Sequence, residues 1–145
     1  MHLVVVDLIP ALLSWEGRDR SEEPSVAPDA AHALGHFFDA FQMIAVADAS
    51  TTSAFLRRHL DQQELAGYFD VVVTSAEHGP VLTARAIRRI IRTAAPRERG
   101  VVVTARAALA ADLRRSRMAV VLTRHEDFED VVEAVFDIAY GRVTP

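Results

Sequence analysis

The chain of 145 residues contains no cysteine, no lysine and no asparagine. The missing cysteine excludes disulfides and thiolate metal sites, and with them zinc-ribbon and redox readings. All 16 basic residues are arginine, so no ammonium group is available to hold a phosphate. Heavy use of arginine and alanine is also what coding bias produces, which tempers the weight of that absence. There is no long apolar run either. The stretch 1–13 (MHLVVVDLIPALL) is interrupted by Asp7 and Pro10 and is too short to span a bilayer. It also lacks the basic start and small-residue cleavage site of a signal peptide. The expectation is a soluble, cytoplasmic protein with no membrane partner. A net charge of −4 gives no general attraction to nucleic acid or anionic lipid, so nucleic-acid binding is not expected.

What is present suits one domain spanning 1–145, since half the residues are hydrophobic and a quarter charged, enough for a sizeable core. Five apolar runs stand out: His2–Leu8, Met43–Ala47, Phe69–Thr74, Gly100–Thr104 and Met118–Thr123. They are continuous in valine, isoleucine and leucine rather than alternating, which is the pattern of strands buried on both faces of a parallel sheet. Helical patterns lie between them. Ala30, Leu34, Phe37, Phe38 and Phe41 share a face of a predicted helix over Asp29–Phe41. Val81, Leu82, Ile87, Ile90 and Ile91 mark another, ending near Pro96. Phe128, Val131, Val132, Val135, Phe136 and Ala139 make an apolar stripe near the C-terminus, with Glu126 and Asp127 in its first turn. Shorter helices are predicted at Ser50–Leu60 and Arg106–Arg115. Strand alternating with helix five times predicts an α/β fold. The expected form is a three-layer, doubly wound, parallel five-stranded sheet with its crevice at the strand C-termini. The polar stretch Ser14–Pro28 reads as a flap over that crevice.

Candidate residues are therefore the polar ones at strand C-termini: Asp7, Asp48, Thr74 with Ser75, Thr104 and Thr123. Asp7 ends the first strand among valines and leucines. Such a carboxylate either sits at the mouth of a site or is hydrogen-bonded to loop amides. Asp48 either pairs with Asp7, raising one pKa and favouring a cation, or caps the helix beginning near Ser50.

These segments resemble the haloacid dehalogenase (HAD) superfamily. VVVDLIPALL is similar to its nucleophile strand, FQMIAVADAS to its second motif, LAGYFDVVVTSAEHGP to its third region, and PRERGVVVTARAALAADLRRSRMAVVLT to its fourth. The resemblance implies a HAD-like Rossmannoid domain without a large cap and with strand order 3-2-1-4-5, Asp7 as nucleophile and ligand to magnesium, and a small phosphate ester as substrate. It also locates departures. Ile9 stands where the general acid belongs, and Ala47 at the second-motif hydroxyl with Asp48 after it. Gly79 stands near the third-motif lysine, and Thr104 and Ala105 at the fourth-motif acids, with Ala108 beyond.

Such losses are costly. Magnesium is held by few carboxylates and shared with the phosphate, and here Asp7 alone is left as a charged ligand, so weak binding is expected. Loss of a general acid forfeits about 10²–10⁴ in rate. The leading expectation is a catalytically impaired HAD-like domain acting as a binding, regulatory or structural module. The alternative is a hydrolase of small phosphate esters in which Asp7 is catalytic and metal-binding, with Asp48 and Thr104 contacting substrate and Glu77, His78 or Arg85 as unconventional helpers. A third reading is an α/β domain that shares only the fold.

Outside the strand ends, Arg85, Arg88, Arg89 and Arg92 form a basic helix face, and Arg114, Arg115 and Arg117 end another. They read as a solvated surface, or as a docking site for an acidic protein or a second subunit. His32, His36, His59 and His125 read as scattered, without metal-ligand spacing. Trp15, in the flap, is expected to be exposed, covering the crevice or anchoring a partner.

Overall fold

A computed structural model describes residues 2–141. Strand β1 (His2–Asp7) runs into a turn of helix, α1 (Leu8–Ala11), and then into a small antiparallel ribbon of β2 (Leu13–Ser14) and β3 (Ser25–Val26). There follow α2 (Ala30–Phe38), β4 (Phe41–Ala47), α3 (Ser53–Gln62), β5 (Val71–Thr74), α4 (Ser75–His78), α5 (Ala84–Ala94), β6 (Gly100–Thr104), α6 (Ala107–Arg115), β7 (Ala119–Leu122) and α7 (Val131–Ala139). Five strands form one parallel sheet in the order β5-β4-β1-β6-β7. Counted by themselves, those strands run 3-2-1-4-5, the order that the resemblance implies.

The reason β1 reads as an unbroken apolar run is visible in its packing. Leu3, Val4, Val5 and Val6 are all fully buried. Val4 and Val6 pack into a core with α2, α3 and α7, while Leu3 and Val5 pack into a second core with α5 and α6. Both faces of the sheet are covered, so alternation has no role. The edge strands β5 and β7 have four residues each and expose Val71 and Leu122.

Several boundaries differ from the periodicity. The helix predicted to reach Phe41 stops at Phe38, and Phe41 opens β4 instead. Its ring still belongs to the core, edge-on to Phe37 and Phe136, which is why the periodic pattern carried through it. Val81 is buried although α5 starts only at Ala84. Glu126 and Asp127 lie in a 3-10 turn (His125–Asp130) ahead of α7, where both pair with Arg124. The cap of α3 is Thr52, whose hydroxyl accepts from the Phe55 amide at 3.3 Å. Asp48 caps no helix.

The segment 14–28 is tied down along its length. The Trp15 indole donates to the Glu22 carbonyl at 3.0 Å, and Arg18 donates to the Glu23 carbonyl at 2.7 Å. Trp15 is not exposed, contrary to expectation: it is 7% accessible, edge-on to His59, with the Arg20 guanidinium over its ring. Its neighbours Leu12 and Leu13 are wholly buried, so the tryptophan extends the core and is not offered to a partner. No helix among the described residues is long and apolar enough to cross a membrane.

Candidate functional site

The C-terminal ends of the central strands hold a largely buried polar cluster. Asp7, the last residue of β1, is fully buried. Its Oδ2 accepts a hydrogen bond from the Thr104 hydroxyl at 2.8 Å and lies 3.3 Å from Arg106 Nε. Thr104 ends β6, and its hydroxyl oxygen also accepts from the Arg106 amide at 3.0 Å. The Arg106 guanidinium then reaches across to α1, just beyond β1, donating from Nη2 to the Ile9 carbonyl at 2.8 Å. One arginine thus joins the ends of the two central strands and neutralises the carboxylate between them.

The neutralisation is incomplete. Asp7 Oδ1 and Arg106 Nε are buried without hydrogen-bond partners; the Nε contact with Asp7 is an ion pair, not a well-aligned hydrogen bond. Burial pushes the Asp7 carboxyl from 3.8 up to about 6, against the opposing pull of the Thr104 hydroxyl and of Arg106. Repulsion from Asp48 adds the smallest contribution. Asp48 itself is exposed beyond the end of β4, so the close carboxylate pair considered from the sequence does not form. Thr104 is buried and its hydroxyl is committed to Asp7 and to Arg106.

A second polar cluster sits two strands outward from β1, at the edge strand β5. Thr74, ending β5, donates its hydroxyl to Glu77 Oε1 at 3.1 Å, and the Ser53 amide donates to the same oxygen. Ser75 donates to the Ala49 carbonyl at 3.0 Å. The amide and hydroxyl donors hold the Glu77 carboxyl below its ordinary range. Glu77 is therefore a structural acceptor that ties α4 to the start of α3. Neither His78 nor Arg85 acts on Asp7. Gly79 has φ 73° and ψ −169°, a combination that only glycine adopts readily, so this position serves the turn after α4.

Arg106 is the residue that sequence reasoning missed. Its signal was available: it follows the end of β6 by two positions and is the first cation there in a chain without lysine. No group of three or more His, Asp or Glu among the described residues could hold a metal ion. The magnesium that the resemblance implies therefore does not fit: Asp7 has no second carboxylate beside it, and a guanidinium already lies against one of its oxygens. Along α5, Arg85, Arg88, Arg89 and Arg92 line a concavity of about 470 Å³ with Thr93 and Ser116. Arg88 there donates to the Ser116 carbonyl at 2.6 Å. The other three have no salt bridge among the described residues.

No family model matches the chain, and no curated protein matches it in sequence. In structure it is similar to a HAD-superfamily hydrolase, subfamily IA, variant 1, from Geobacter sulfurreducens PCA. The TM-score is 0.64 at 13% identity, over 90% of this chain and 99% of the other. At that identity what the two share is the fold, a HAD-like α/β Rossmannoid one.

Proposed function

We propose that this domain is a capless HAD-like module that has given up phosphoryl transfer and acts by binding. The observation that carries the reading is the state of Asp7. Its carboxylate is buried, shares one oxygen between Thr104 and Arg106, and has no acidic neighbour in position to complete a metal site. Arg106 supplies a fixed internal positive charge where a metal-dependent phosphatase holds its ion. Ile9, apolar and nearly buried, offers no proton to a leaving group. The binding surface that fits best is the arginine-lined concavity beside α5, which suits an acidic protein partner or an acidic face of a second subunit.

The uncommitted Asp7 Oδ1 favours one competing reading, a phosphate-ester hydrolase with Asp7 as nucleophile. Turnover of an aryl phosphate by the wild type and by Asp7→Asn, with and without magnesium, separates the two. The expected result is no activity that requires both Asp7 and the metal. Turnover lost in Asp7→Asn and dependent on magnesium would establish the hydrolase instead. For the binding surface, charge reversal at Arg85 and Arg89 should abolish association measured by light scattering, and unchanged association would remove this surface from the proposal.

A further inference from the structure

His32 and His36 lie one helical turn apart on α2, at the i and i+4 positions that share a face. The structure brings these two side chains together, apart from the other histidines. The two Nε2 atoms are 3.3 Å apart on an exposed surface, with the rings 88° to one another. Zinc–imidazole bonds are about 2.0–2.1 Å long. A single cation bonded to both nitrogens at that separation would subtend an angle of about 104–111°, which brackets the tetrahedral value of about 109°. The pair is thus already spaced as two ligands of one tetrahedral ion.

The surroundings add negative charge without crowding the position. Asp39 lines the same shallow concavity, of about 380 Å³, as His32 and His36. Glu129, close enough to His32 to interact with it, shares a hydrogen bond with Asp29 on the adjoining turn. None of these carboxylates completes a three-residue ligand group, so water fills the remaining coordination positions. Imidazole donors select borderline cations such as zinc, copper and nickel over magnesium or calcium.

We infer that His32 and His36 form a two-histidine chelate for a divalent transition cation of the zinc class, on the α2 surface and separate from the strand-end cluster. The inference goes beyond the binding-module reading and stands whether or not Asp7 has any catalytic role. The competing account is a hydrogen bond between two neutral imidazoles, which needs no metal.

Calorimetric titration of the whole chain with zinc chloride near neutral pH tests it. One ion per chain is expected, with affinity reduced at least about tenfold by either His32→Ala or His36→Ala, and unchanged by His78→Ala at another exposed position. Both substitutions lie on the solvent side of α2, and circular dichroism confirms that the fold is retained. With copper(II) as probe, the paramagnetic resonance spectrum should show two nitrogen donors in the wild type and one in each variant. Zinc affinity indifferent to both substitutions, or a copper spectrum with one nitrogen in the wild type, would overturn the chelate and leave the hydrogen-bonded pair.

Discussion

Asp7 and Glu77 are bound by the same kind of donor and end up with opposite acidities. Each accepts the hydroxyl of a threonine that closes a parallel strand, Thr104 at 2.8 Å for Asp7 and Thr74 at 3.1 Å for Glu77. Asp7 also has an arginine beside it, which Glu77 lacks. Yet the carboxyl of Asp7 is raised to about 6 and that of Glu77 is lowered. The difference is water. Glu77 is exposed and gains from every donor aimed at it, whereas Asp7 lies under the ends of the central strands, where lost hydration outweighs two favourable partners. Opposite charge nearby does not make a buried carboxylate comfortable unless all its lone pairs are met, and Oδ1 of Asp7 is not.

The sharpest way to test this contrast is pH. Raising the Asp7 carboxyl from 3.8 to about 6 corresponds to about 3 kcal/mol. The native state holds the proton more tightly than the unfolded chain. The stability that Asp7 contributes is therefore fully present below 3.8 and is lost as pH rises through about 6. Urea midpoints measured across that range should show the decline in the wild type and lose it in Asp7→Asn. A parallel decline in the variant would assign the effect to other groups. Thr104→Val should come next, costing about 2 kcal/mol by removing a hydrogen bond to a charged group and stranding the Arg106 amide; it should also move the Asp7 titration upward, read from the same midpoints. Arg106→Gln should cost less, about 1 kcal/mol, because its side chain is 38% exposed and solvent screens it. Glu77→Gln should have the smallest effect and the opposite sign of pH dependence. The stabilisation it removes is present above the ordinary glutamate value of 4.5 and lost as pH falls below it. A stability loss in Glu77→Gln that grows in acid would contradict that assignment.

Most of the architecture was legible because burial on two faces leaves a plain mark. The runs at Val4–Val6, Met43–Ala47 and Val101–Val103 read as strands of a covered parallel sheet, and the family resemblance then supplied their order. Helix ends were less legible. Phe41 fits the helical stripe as well as the strand that contains it, since both place its ring against Phe37, and only the backbone distinguishes them. The candidate site was half legible. Asp7 and Thr104 were visible as polar residues at strand ends, but their direct contact depends on β1 and β6 lying side by side across 97 residues of sequence. Arg106 was hidden because a long side chain at a helix start usually points to solvent, and nothing local says that it turns back across the neighbouring strand. Trp15 misled for a similar reason: its segment is polar in composition, while the indole itself continues the apolar run of Leu12 and Leu13.

The brevity of the two outer strands has a consequence for how copies of this molecule meet. A parallel sheet leaves unpaired amides and carbonyls along both borders, and long flat borders recruit other chains into continuous ribbons. Here each border strand has four residues, with Asp70 just before one and Arg124 two residues after the other. Val71 and Leu122 are exposed on them, but so short a ladder flanked by charge gives an incoming strand little to grip, which guards the fold against fibre-like stacking.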